Sequence, residues 1–190
     1  SYEEDKVPKL EKMSIDQMIK DFSINKEKEK LKLVYKAIKE TRKKINKQTG
    51  LIGFVGAPLT LSFFMFDSNR KKKYSQILTF LKKNKNKTIK LFSLLEKAIA
   101  EHAIGQLNAG AQVIQIFDTW ANVAKEQDLQ FFSIDPIKRI CNLIKSKKPK
   151  AHIIVFPRNV GRNYTKYIYK HIDCISVGED IKVEEIKEIQ

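Results

Sequence analysis

Two short stretches combine side chains capable of chemistry. The first is GFVGAPLTLSFFMFD, residues 53–67. Gly53 and Gly56 let backbone approach closely, Pro58 turns the chain away from an extended segment, and Thr60 places a hydroxyl at the start of the next helix. The stretch has neither a Gly-Lys-Ser/Thr loop nor GxGxxG, and on residue types alone a tight strand-to-helix turn is the favoured reading. The second is QIFDTWA, residues 115–121, where an apolar run ends abruptly in Asp118, Thr119 and Trp120. A carboxylate, a hydroxyl and an indole at a strand exit could bind a polar ligand. Equally, Asp118 could cap the next helix with Trp120 as core. Arg158, just after HIIVFP, could meet a carboxylate or be a solvated loop arginine. His102 has no His or Glu at metal-ligating spacing, and Cys141 and Cys174 form no CxxC pair, so no metal site is expected.

Periodicity indicates the helices and strands that carry these residues. Residues 27–47 form a helix, with Leu31, Val34, Tyr35, Ile38 and Ile45 near one face and Gly50 after its end. Residues 51–55 are a short buried strand, and a short helix runs from Pro58 until about 67–69. A solvated charge run over 70–73 leads to a helix over 74–83. The clearest helix is 88–109, where Ile89, Phe92, Leu95, Ile99, Ala103 and Leu107 recur at spacings of three and four before Gly110. Strands are expected at 112–117 and 152–157, with a helix over 129–146 between them, interrupted by Pro136. A helix over 161–170, a short fourth strand in DCISVG and a terminal helix over 183–189 complete the chain. The cations and tyrosines of 161–169 read as ordinary amphipathic packing rather than a single-strand nucleic-acid platform. Apolar strands alternating with helices imply a parallel sheet covered by helices, either doubly wound or part of a (β/α)8 barrel. A whole barrel takes about 250 residues, so four strands would be part of one.

Composition narrows the class. The chain has 190 residues, 42% hydrophobic and 31% charged, which excludes disorder and fibrous architectures and fits a single domain over 1–190. Its net charge of +15 reflects 32 Lys and only 5 Arg, scattered through the helical segments apart from the short one after Pro58. Nucleic-acid binders gather charge on one face and favour Arg, so no nucleic-acid partner is expected. The apolar run over residues 51–66, free of charge, contains Pro58 and two glycines and is too short and broken for a membrane span. With two cysteines and no apolar leader, a cytoplasmic protein without disulfides is expected.

Together the two stretches resemble the uroporphyrinogen decarboxylase family. Its signature runs Gly-Phe, two small residues, a variable position, Pro, an aromatic, Thr-Leu, two variable residues and Tyr. The chain matches at Gly53, Phe54, Gly56, Pro58, Thr60 and Leu61, and AGAQVIQIFDTWA, residues 109–121, is close to a second family block. The resemblance implies a (β/α)8 TIM-barrel type of fold, of which four βα units are present here, the third to sixth strands by order. It also implies a homodimer, a cleft at the strand C-termini, and decarboxylation of the four acetate arms of uroporphyrinogen III to give coproporphyrinogen III. No metal or organic cofactor is implied, because a protonated pyrrole is its own electron sink.

Carried over by position, Thr119 stands where the family has a small hydroxyl that contacts substrate. Phe64 stands where the signature has its Tyr, Leu59 replaces the aromatic, Asp67-Ser68 replaces an acid-Gly pair and Asn122 replaces a Gly. The expected substrate-binding set is Phe64, Thr119 and Arg158. The family's arginine-rich loop and pyrrole-holding aspartate, which precede Gly53 in order, and its C-terminal Gly-His-Gly block have no counterpart here. An internal fragment of a longer enzyme, or a truncated relative without catalysis, is therefore expected. A corrinoid methyltransferase with zinc ligands is the remaining alternative.

Overall fold

The computed structural model describes residues 14–22, 24–66 and 73–187. In chain order these form α1 (Ile15–Asp21), α2 (Ile24–Lys44), β1 (Ile52–Gly56), α3 (Pro58–Phe66), α4 (Tyr74–Lys83), α5 (Lys85–Ala109) and β2 (Val113–Asp118). A 3-10 turn (Ala121–Val123), α6 (Glu126–Leu129), a π turn (Gln130–Ile134), α7 (Asp135–Lys147) and β3 (His152–Pro157) come next. A 3-10 segment (Gly161–Tyr167), β4 (Cys174–Ile175) and α8 (Val183–Lys187) end the described chain. Residues 67–69, most of the 70–73 charge run and the last residues of the expected terminal helix lie outside the described residues.

The four strands lie in chain order β1-β2-β3-β4, all parallel. Strand alternation sorts their side chains onto two faces. On one face Val55, Ile114, Ile116, Asp118, Ile153 and Val155 are buried beneath the helices. On the other, Ile52 and Phe54 are exposed and Gln115, Phe117, Ile154 and Phe156 half-buried. Register brings Phe117 beside Phe156, and the rings of Phe54, Phe117 and Phe156 meet edge to face at 6.0 and 5.8 Å. A sheet with both faces apolar and helices on one belongs to a closed barrel, whose interior is filled by such side chains. These are four βα units of a (β/α)8 barrel.

Helix α5 is the main support, packing against α1, α2, α4, α7 and β1. It ends where Gly110 adopts φ 115°, a left-handed cap, with the Gly110 and Ala111 N–H groups returning to the Leu107 and Gln106 carbonyls. Buried Gln106 covers the free edge of β1, its Nε2 donating to the Phe54 carbonyl at 2.7 Å and its Oε1 accepting the Phe54 N–H at 3.0 Å. Among the described residues no strand pairs on that side of β1, and the side-chain amide satisfies its backbone groups there. The approach requires Gly53, since a Cβ there would lie 2.6 Å from Gln106 Oε1. Gly53→Ala should break this pairing and cost roughly 1–3 kcal/mol in urea unfolding; a loss below about 0.5 kcal/mol would show that the amide is not needed.

Two expectations are corrected. Pro136 does not interrupt the helix before β3: α6, the π turn and α7 run on without a break. Asp135 N–H reaches the Gln130 carbonyl, and this wider turn absorbs the bond that Pro136 cannot donate. Residues 161–170 are not an α-helix but a 3-10 segment ending at Tyr167. With three residues per turn, Tyr164 and Tyr167 fall on the same side, and both are fully buried.

Candidate active site at the strand exits

Because all four strands are parallel, their C-terminal ends form one rim. Ladder bonds continue past the strands there: Ala57 N–H donates to the Phe117 carbonyl (2.7 Å), Arg158 N–H to that of Asp118 (3.1 Å) and Ser176 N–H to that of Val155 (2.9 Å). The first residues beyond β2 and β3, Thr119 and Arg158, are therefore held on the same rim. Thr119 is half-buried, and its hydroxyl has no partner among the described residues. Arg158 is exposed, with a guanidinium nitrogen 3.8 Å from the carboxylate of exposed Glu179. Phe64 on α3 is partly exposed, and its ring stands edge-on to Trp120 with centroids 4.8 Å apart. Phe63 and Tyr74 pack on the same indole. The fold thus brings Phe64 to Trp120, immediately beside Thr119 in sequence.

Asp118 does not cap the helical segment that follows it. By alternation it follows Ile114 and Ile116 onto the helix-covered face and is fully buried. Its Oδ1 accepts the Thr60 hydroxyl at 2.7 Å, and its Oδ2 accepts the Ser133 hydroxyl. Ser133 in turn lies 2.6 Å from the Tyr167 hydroxyl. An ionised carboxylate only accepts, so Ser133 must donate to it and Tyr167 to Ser133. Burial pushes the Asp118 carboxyl up to about 6, against the lowering effect of the two hydroxyls, and pushes the Tyr167 phenol well above its usual range.

The remaining titratable groups are satisfied structurally. His102 Nε2 accepts the second Gln106 Nε2 hydrogen (3.1 Å), which leaves the proton on Nδ1, facing Tyr35 Oη at 3.1 Å. Burial holds its pKa below the ordinary histidine value. His152 and His171 lie at the surface, near Asp173 and Asn142. Cys141 is buried in α7 with its thiol pushed up to about 12, whereas Cys174 is exposed on β4. Among the described residues no three His, Cys, Asp or Glu side chains gather to hold a metal ion. No helix among them is long and apolar enough to cross a membrane.

The family model for uroporphyrinogen decarboxylase (URO-D) matches residues 1–190. The chain belongs to this family. It is 34% identical over 160 residues to a protein of Rickettsia bellii named uroporphyrinogen decarboxylase, an alignment covering 84% of this chain and 47% of that protein. Relatives of the same name in Rickettsia massiliae and Rickettsia rickettsii are also 34% identical, over 84% of this chain and 46% of theirs. The chain spans about half the length of these curated relatives. Within the uroporphyrinogen decarboxylase family frame, GFVGAPLT and QIFDTWA are neighbouring strand exits tied together by the Thr60–Asp118 hydrogen bond. Ser133, Tyr167 and Gln106 were not singled out by spacing. Asp118 did carry a signal, since a period of two from Ile114 places it on the buried face.

Proposed function

We propose that the protein is a uroporphyrinogen decarboxylase, a carboxy-lyase of the cytoplasm acting without a metal or organic cofactor. In this reading residues 1–190 are a single partial barrel unit carrying the third to sixth strands, and the whole enzyme is a homodimer. The observation that carries it is the Thr119 hydroxyl at the β2 exit, without a partner among the described residues and within the block closest to the family. The Thr119 hydroxyl hydrogen-bonds the substrate, Phe64 and Trp120 form an aromatic wall beside it, and Arg158 exchanges the loose Glu179 contact for a substrate carboxylate. Protonation of a pyrrole carbon then lets the adjacent acetate arm lose carbon dioxide, its electron pair passing into the ring system; the exocyclic methylene left behind takes up a proton and the ring carbon releases its own, giving a methyl-substituted pyrrole. Anaerobic incubation of the full-length protein with uroporphyrinogen III should yield coproporphyrinogen III, and no product at any enzyme concentration would remove the reading.

Phe64 departs from the family's Tyr, and its partial exposure predicts the consequence. Phe64→Tyr should change stability by less than about 0.5 kcal/mol, as substitutions away from packed core do. A loss of roughly 1–3 kcal/mol in a thermal melt would mean that the hydroxyl is stranded in the core.

A further inference from the structure

Asp118 is tied to the elements that follow β1, β2 and β3 at the rim. Its side chain holds Thr60, in the first turn of α3 and four residues before Phe64, and Ser133, in the π turn before α7. Through Ser133 it reaches Tyr167, in the 3-10 segment after β3. Its own carbonyl accepts the Arg158 N–H. The carboxylate is fully buried on the helix side of the sheet, so it cannot touch a ligand on the rim, and no ion pair among the described residues neutralises it. An apolar residue could fill such a position with no desolvation cost, as Ile116 and Ile114 do two and four residues earlier on the same face. An ionisable group with two hydroxyl donors instead fixes direction as well as distance, because each bond can form in one sense only.

We propose that Asp118 is the positioning residue of this site: its carboxylate clamps the exits of β1, β2 and β3 together and thereby fixes where the Thr119 hydroxyl meets the substrate. This rests on the proposed decarboxylase reading for what Thr119 meets, but the clamp itself does not. Cutting one arm should let the rim move while the sheet beneath stays closed. Cutting the clamp should also make the Thr119 hydroxyl ineffective, since a misplaced hydroxyl contributes nothing to the transition state.

Two measurements on the full-length protein separate these points. The first is amide hydrogen exchange in Thr60→Val and Ser133→Ala. The Arg158 and Ala57 amides should exchange at least about ten-fold faster in both variants, with Ile114 and Ile153 unchanged. Unchanged exchange at Arg158 and Ala57, or equal acceleration throughout the sheet, would overturn the clamp. The second is a kinetic cycle on coproporphyrinogen formation with Asp118→Asn, Thr119→Val and the double variant. Thr119→Val should lower kcat/KM about five-fold and Asp118→Asn about ten-fold, with the double variant within about two-fold of Asp118→Asn alone. Losses that multiply to about fifty-fold would show that Asp118 acts on stability and not through Thr119. A wild-type protein that forms no coproporphyrinogen would remove the decarboxylase reading, and the exchange result would then decide the clamp by itself.

Discussion

Asp118→Asn should make the protein more stable at pH 7.5, by an amount that disappears as the pH falls to about 4. The carboxyl has its pKa raised from 3.8 to about 6 by complete burial. Between those values the unfolded chain is ionised there while the folded chain keeps its proton, so folding takes up a proton. Stability from this group is therefore fully present below about pH 4 and is lost as pH rises through about 6. The difference amounts to roughly 3 kcal/mol at 1.36 kcal/mol per pKa unit. The groups facing the carboxyl are the hydroxyls of Thr60, Ser133 and Tyr167 and the Thr60 backbone N–H, and among the described residues no cation offsets its charge. An amide still accepts from Ser133 but presents N–H groups to Thr60, whose hydroxyl and backbone N–H lose their acceptor, so this arm of the clamp is cut while the buried charge is removed. Chemical denaturation of both proteins from pH 4 to 8 checks this as a difference, which cancels all other titrations. A variant less stable than wild type at pH 7.5 would contradict it. A buried charge kept at a stability cost is what a positioning role requires.

A second large effect is expected where α5 meets α7. Glu96 is 5% exposed, and its carboxylate accepts both Nε and Nη2 of Arg139, at 2.9 and 2.8 Å. Arg139→Met would leave that carboxylate desolvated and unpaired. Loss of one partner from a buried pair costs about 3–5 kcal/mol, and the half-exposed arginine reduces this to roughly 2–4 kcal/mol. Adding Glu96→Gln should restore most of the loss, since a neutral amide needs no counter-charge. Urea unfolding of the single and double variants decides it, with a single-variant loss below about 1 kcal/mol counting against the argument.

The fold was legible wherever one period governed a whole element. Residues 88–109 repeat at three and four because a single face is buried, and the structure extends that helix only to Lys85. The strands were legible as continuous apolar runs because a barrel strand is apolar on both faces. The 161–167 segment was not, because Tyr164 and Tyr167 fit a stripe of either α or 3-10 pitch, and long-range bonds to Ser133 and Asp180 decide between them. Thr119 and Asp118 were legible as a cluster, but their division of labour was not. It depends on alternation across the sheet, which turns one toward the helices and leaves the other at the rim. Gln106 was hidden for a related reason: its partner is backbone at the edge of β1, which no side-chain pattern records.

Binding of coproporphyrinogen III, made by chemical reduction of coproporphyrin III and followed by amide hydrogen exchange under anaerobic conditions, tests the placement of the site most directly. In the full-length protein it should slow exchange over residues 117–120, 62–66 and 157–160, which lie at the C-terminal rim of the strands. Protection confined to the opposite rim, at residues 50–52, 110–113 and 148–152, would contradict the account.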